Sequence, residues 1–170
     1  GTILGTRIAR VREEIPDLMA PQRTLSVTGD ADGPTAEFFS FIEKSPVGAM
    51  IDHFTSGMRA EGQGKLALKL TIPLGNSRDT RVSGVYQFLN NSLESTEAFF
   101  PAADQVNARL EFTDSSLRVA GGTLNVLGGP ASLNASTQKE GTRINIAGRV
   151  NMDNFRRTTN SFFAQSLNGT

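Results

Sequence analysis

The chain has no cysteine, a single histidine, a single tyrosine and no excess of either charge, with 17 basic against 17 acidic residues among 170. Each shortage removes a class of function. Without cysteine there is no disulfide, no thiolate chemistry and no cysteine-ligated metal. One histidine cannot build a multi-histidine metal centre. Zero net charge without a Lys/Arg cluster argues against a nucleic-acid binder, whose affinity comes largely from neutralising phosphates. Apolar residues make up 38% of the chain. They are dispersed, so no run reads as a membrane span. No signal peptide is visible and there is no initiator methionine, so the expectation is a piece of a longer protein. Missing cysteine suits an oxidising extracytoplasmic compartment, but many cytosolic domains lack it too.

What is present is uncharged polarity and period two. Ser, Thr and Asn supply 41 residues and Gly another 17. The length fits one domain, or one and a fraction of a repeating structure. Residues 4–12 alternate loosely and predict a short strand; residues 17–21 (DLMAP) read as a turn. Residues 23–31 predict a better strand, with Leu25 and Val27 on one face. The period then changes. Asp32-Gly33-Pro34 reads as a helix start, with Asp32 or Gly33 near the N-cap and Pro34 in the first turn. Ala36, Phe38, Phe41 and Ile42 approximate a helical face. Ser45-Pro46 is a second start, followed by Val47, Met50, Ile51 and Phe54. Two short helices over 34–56 follow, because Pro46 disfavours continuation of the first.

Beyond residue 58 the chain is almost entirely period two. Residues 59–73 place Leu66, Leu68, Leu70 and Ile72 on one face and Lys65, Ala67, Lys69 and Thr71 on the other, as in a half-buried strand. Gly75-Asn76-Ser77 reads as a turn. Residues 80–88 carry Val82, Tyr86 and Phe88, with Gly84 between them, and residues 90–104 read as turn-rich. Val106, Ala108, Leu110 and Phe112 alternate again. Leu117 and Val119 precede a break at Gly121-Gly122. Leu124 and Val126, Leu133 and Ala135, and Ile144 and Ile146 mark three more short strands. Residues 153–166 return to a helical pattern anchored by Phe155, Phe162 and Phe163. Some seven short strands joined by hairpin-sized gaps predict an antiparallel meander, mainly β with a short helical segment. No stretch between strands is long and periodic enough for a repeated crossover helix, which argues against a doubly wound α/β fold.

Residues 23–36 (RTLSVTGDADGPTA) and 142–155 (TRINIAGRVNMDNF) share a pattern at an offset of 119 residues. Both alternate into a glycine, Gly29 or Gly148, then pass through Ala31 or Val150 to a capping residue, Asp32 or Asn151. The unit implied is a strand ending at glycine, a helix and a meander. Residues 1–152 then form one sheet unit with helices at about 34–56, and residues 153–170 begin a second.

Candidate chemistry is sparse. His53, between Asp52 and Phe54, reads as a helix-end residue facing the last carbonyls. Glu13, Glu14, Asp17, Glu94, Glu97 and Asp104 have nothing to fix a catalytic separation and read as solvated surface. Asp30, Asp32 and Asp79 do not follow calcium-loop spacing. Gly62/Gly64 and Gly121/Gly122 lack the context of a phosphate loop and read as bulges or bends. Arg156-Arg157 reads as a solvated helix face. No metal or cofactor is implied. Two arrangements then cover the apolar strand faces. In one the 34–56 helices close an ordinary α+β domain, which residue arithmetic alone favours. In the other a long curved sheet leaves part of its apolar face open, with Gly84, Ala108, Gly121 and Ala135 leaving room for a hydrophobic guest.

Particular strings weigh on that choice. Glu14–Met19 (EIPDLM), Gly29–Ile42 (GDADGPTAEFFSFI), Ser45–Thr55 (SPVGAMIDHFT), Gly62–Leu66 with the Leu68-Leu70-Ile72-Pro73 strand, and Arg81–Asn90 (RVSGVYQFLN) resemble the YhdP-like proteins. These large Gram-negative envelope proteins belong to the AsmA-like superfamily, which also contains TamB. The resemblance implies an inner-membrane anchor on the full-length protein and a long periplasmic β-sheet, rolled lengthwise around an apolar groove. It implies phospholipid transfer between inner and outer membranes without covalent chemistry. On this reading the groove wall takes Leu66, Leu68, Leu70, Ile72, Val82, Tyr86 and Phe88. It continues through Val106, Leu110, Phe112, Val119, Val126, Leu133, Ile144 and Ile146. Phe38, Phe41, Ile42, Met50, Ile51 and Phe54 form a helical cap or plug. The partners implied are phospholipid acyl chains or another hydrophobic ligand, and adjacent segments of the same long chain. The alternative is an envelope scaffold segment that binds protein partners through its sheet edges; it predicts apolar residues packed wholly inside, with no cavity.

Overall fold

In a computed structural model of the chain, residues 2–3, 6–14, 24–44, 55–75, 79–96, 101–138 and 141–149 are described. They form nine strands and one helix. In order these are β1 (Thr2–Ile3), β2 (Thr6–Glu14), β3 (Thr24–Pro34), α1 (Thr35–Glu43), β4 (Met58–Pro73), β5 (Arg81–Ser95), β6 (Ala103–Thr113), β7 (Leu117–Val126), β8 (Gly129–Gln138) and β9 (Gly141–Gly148). The strands make one sheet in sequence order, every neighbouring pair antiparallel. The predicted class, a mainly β antiparallel meander with a short helix, is the class observed. At about 4.8 Å per strand the sheet extends roughly 38 Å across its strands.

Short connections dictate this order. Leu127-Gly128 joins β7 to β8 as a two-residue turn. Between β6 and β7 the Thr113 amide donates to the Ser116 carbonyl at 2.8 Å, and the Ser115 amide donates to Thr113 Oγ1 at 3.2 Å. A hydroxyl that mimics the backbone in this way closes the turn locally.

The boundaries differ from expectation where pairing overrides local signals. β3 runs five residues past Gly29, because Gly33 pairs with Gly64 and Pro34 with Gln63. Pro34 is therefore the last extended residue and the N-cap of α1, at φ −59° and ψ 132°, rather than part of the helix's first turn. The helix stops at Glu43, ahead of Ser45-Pro46, as the proline requires. The stretch expected to be turn-rich from residue 90 instead continues β5 to Ser95, since Ser92–Ser95 pair with Met58–Glu61. Gly121-Gly122 does not break the chain. It is a bulge inside a single β7, with a register shift between Val119 and Gly122 and Gly121 at φ +68°. Of the second predicted helix, residues 55–56 form a turn instead; residues 45–54, the turns at 17–21 and 76–77, and the helix at 153–166 lie outside the described residues.

The core lies on one face of the sheet, beneath α1. Phe38 and Phe39 are buried there, edge-on to Tyr86 and Phe88 with ring centroids 5.1 and 6.5 Å apart, and Tyr86 meets Phe88 at 4.7 Å. Burial of each such ring contributes about 1.5–3 kcal/mol.

Candidate functional site

Antiparallel register turns the period-two pattern into rows across the sheet. One row passes from Ala31 through Leu66, Tyr86, Leu110, Val119 and Ala135 to Ile144. The next holds Gly64, Phe88 and Ala108, and continues through Gly122 and Leu133 to Ile146. Large and small residues are mixed along both rows of this floor, and the alanines Ala108 and Ala135 line the space above it whereas Gly64 and Gly122 are covered by their neighbours. Between this floor and α1 lies a cavity of about 200 Å³.

The structure brings eleven of the fifteen groove candidates to this cavity. Leu66 and Leu68 reach it from β4, Tyr86 and Phe88 from β5, and Val106, Leu110 and Phe112 from β6. Val119, Leu133, Ile144 and Ile146 complete the series from β7 to β9. Leu70, Ile72, Val82 and Val126 lie beyond it. Leu70 pairs with Val27 and Val82, Ile72 with Leu25, and Val126 with Ala103. Phe38, Phe41 and Ile42 form the roof together with Phe39. Met50, Ile51 and Phe54 lie outside the described residues.

Of the four small residues expected to leave room, Ala108 and Ala135 line the cavity. Gly84 does not leave room: a Cβ there would sit 2.6 Å from the Phe112 ring, which already covers it. Gly121 is exposed on the bulge. Among the described residues, side-chain oxygen reaches the lining only on Thr55, Thr142 and Tyr86. The roof covers one flank. Ile144 and Ile146, at the other, remain 42% and 37% exposed.

Sequence reasoning missed the polar residues that seat the roof. Thr35 and Asn91 are fully buried. Tyr86 Oη donates to Thr35 Oγ1 at 2.9 Å, the Thr35 hydroxyl donates to Asn91 Oδ1, and Asn91 Nδ2 donates to the Gln63 carbonyl at 2.8 Å. Every donor in this chain has an acceptor, so the desolvation of three polar side chains is offset. Burial pushes the Tyr86 phenol up to about 12, against a smaller lowering by its hydrogen bond to Thr35. The strands deform to admit the chain. Gly62 stands at φ +109° with Asn91 Cα 2.9 Å from where its Cβ would be, and a Cβ on Gly64 would fall 1.9 Å from Tyr86 Oη. The Asn90-Asn91 doublet inside an alternating strand was the available signal for a bulge. Nothing in the sequence marks Thr35.

The opposite face is polar. Arg7 clasps Asp32 through two bonds of 3.2 and 3.0 Å, and Arg109 meets Glu111 at 3.1 Å. A hollow of about 610 Å³ lies there, walled partly by Arg10, Arg12, Asp30, Lys69 and Glu111. Its charges are mixed in sign. Glu13, Glu14, Glu94 and Asp104 are exposed, and Asp104 accepts from Ser92 at 3.1 Å. His53, Asp17 and Glu97 lie outside the described residues. Among the described residues no group of three or more His, Cys, Asp or Glu side chains converges, and no helix is long and apolar enough to cross a membrane. Among the described residues the cavity thus presents mainly hydrocarbon and aromatic surface.

No curated protein and no solved structure matches the chain. The family described as YhdP protein matches it from residue 1 to residue 170. Because that match leaves no part of the sequence unaccounted for, the chain belongs to the YhdP protein family.

Proposed function

We propose that this chain is a non-catalytic segment of an envelope lipid-transport protein, and that its trough seats phospholipid acyl chains between the inner and outer membranes. The observation that carries this reading is the cavity of about 200 Å³ between α1 and the sheet, walled almost wholly by hydrocarbon and continuous with the exposed Ile144 and Ile146. An acyl chain gains free energy on entering such a space at roughly 25 cal/mol per Å² of apolar surface removed from water. Membership of the YhdP proteins supports the periplasm of a Gram-negative bacterium as the compartment. It also supports tethering of the full-length protein to the inner membrane. Residues 1–152 are proposed as one sheet unit and residues 153–170 as the opening of another. The scaffold alternative requires a closed core, which the cavity disfavours.

The test is capture of a photo-crosslinkable phospholipid by the wild-type chain and by the double variant Leu68→Asp/Leu110→Asp. Both leucines line the cavity. A folded variant that no longer captures lipid is the expected outcome. Equal capture by the folded variant overturns the reading for this segment.

A further inference from the structure

We infer that the buried hydrogen-bond chain Tyr86–Thr35–Asn91–Gln63 is a latch that fixes the position of α1 over the trough. The inference rests on the trough reading only for its consequence, that roof position governs what fits underneath. Three observations carry it. The latch joins the first residue of the helix to two successive features of the sheet, a tyrosine of β5 and the bulge at Asn91. Three of its four members are sealed from water, Thr35 and Asn91 at 0% exposure and Tyr86 at 5%, so the two bonds among them lack competition from solvent, while the third ends on the carbonyl of the exposed Gln63. The middle of α1 is held by apolar contacts, and its far end by a hydrogen bond that the Thr55 hydroxyl donates to the Glu43 carboxylate. Phe38 and Phe39 rest edge-on against rings, and Phe41 is 49% exposed. Apolar contacts are non-directional and tolerate sliding. A hydrogen-bond relay in which each donor has one acceptor does not.

Geometry also shows what the sheet gives up for the latch. Gly64 has no room for a methyl group under the Tyr86 hydroxyl, and Gly62 adopts a left-handed conformation that brings it against Asn91. Both glycines serve the polar residues rather than the apolar floor. Thr35, Tyr86 and Asn91 are therefore positioning residues: they act on a ligand through the helix.

The absence of cysteine makes the test direct. Spin labels on Lys44→Cys, at the far end of α1, and Thr123→Cys, on β7, report one distance by double electron–electron resonance in the full chain. Both positions are exposed. The parent should give a single narrow distribution. Thr35→Val keeps the shape and removes the hydroxyl; it should broaden the distribution and shift it to longer distances while far-UV circular dichroism is unchanged. Tyr86→Phe removes one bond and retains the ring, so it should broaden the distribution less, and it carries the test if Thr35→Val does not fold. A purely stabilising role would lower the melting temperature of either variant and leave the distance below melting as in the parent. That result overturns the latch. Lipid capture measured on the same samples separates the two ideas, since a helix that moves without altering capture counts against the trough and not against the latch.

Discussion

Tyr86 is the residue on which shape and chemistry meet. It is the only tyrosine, sits in the central row of the trough and heads the latch. Its phenol titrates at 10.0 when free and at about 12 in the fold. The folded state therefore keeps the proton to higher pH than the unfolded chain does. The corresponding stability is whole below pH 10, falls as the unfolded phenol ionises, and is lost as pH rises through about 12, an effect of about 2–3 kcal/mol across that window. Urea denaturation of the wild type at pH 9 and pH 11.5 should show this loss, and Tyr86→Phe should show distinctly less of it; parallel losses in both proteins would assign the effect to other groups. Tyr86 was legible from the sequence as an apolar-face residue because strand alternation places it there. Its hydroxyl partners were not legible, because Thr35 and Asn91 lie 51 and 56 residues away from Tyr86 and Thr35 respectively.

At the scale of elements, alternation located strands well and measured their lengths badly. Leu66 to Ile72 fixed β4, and Val106 to Phe112 fixed β6, since side-chain direction reports a pleated backbone whatever its neighbours are. The ends of β3, β5 and β7 depend on what lies beside them. Ser92–Ser95 are extended because Met58–Glu61 offer a ladder, and β7 crosses Gly121-Gly122 because β6 and β8 hold both sides. A glycine pair reads as a stop when met alone and as a bulge when paired. The bulge also permits close packing: a Cβ on Gly122 would lie 3.0 Å from that of Ala108 and 3.3 Å from that of Leu133. Gly122→Val should accordingly cost about 1–3 kcal/mol by overpacking, read as a lower urea midpoint at unchanged slope. An unchanged midpoint would mean that the bulge relaxes to admit the side chain.

For the whole molecule, one sheet with one covered flank implies graded stability. β5 lies between two long partners under the aromatic cluster, whereas every residue of β9 is exposed. Amide hydrogen exchange should be slowest in β4–β6 and fastest in β9; equal protection in β9 would show that its edge is covered in solution. The composition that first argued against nucleic acid also acquires a positive sense, since a polar face of mixed charge backs an apolar one from β3 to β9. The register carries a further consequence. Six strand steps separate β3 from β9, an even number, so the two run in the same direction and the chain leaves both at the same rim. The row that starts at Ala31 ends on Ile144, 113 positions later, six short of the 119-residue offset between the two matching strings. If that offset is the repeat, equivalent residues slip by six along the strands for every six strands crossed. At about 3.3 Å per residue and 4.8 Å per strand, the strands then lean by roughly 35°, the inclination found in closed barrels.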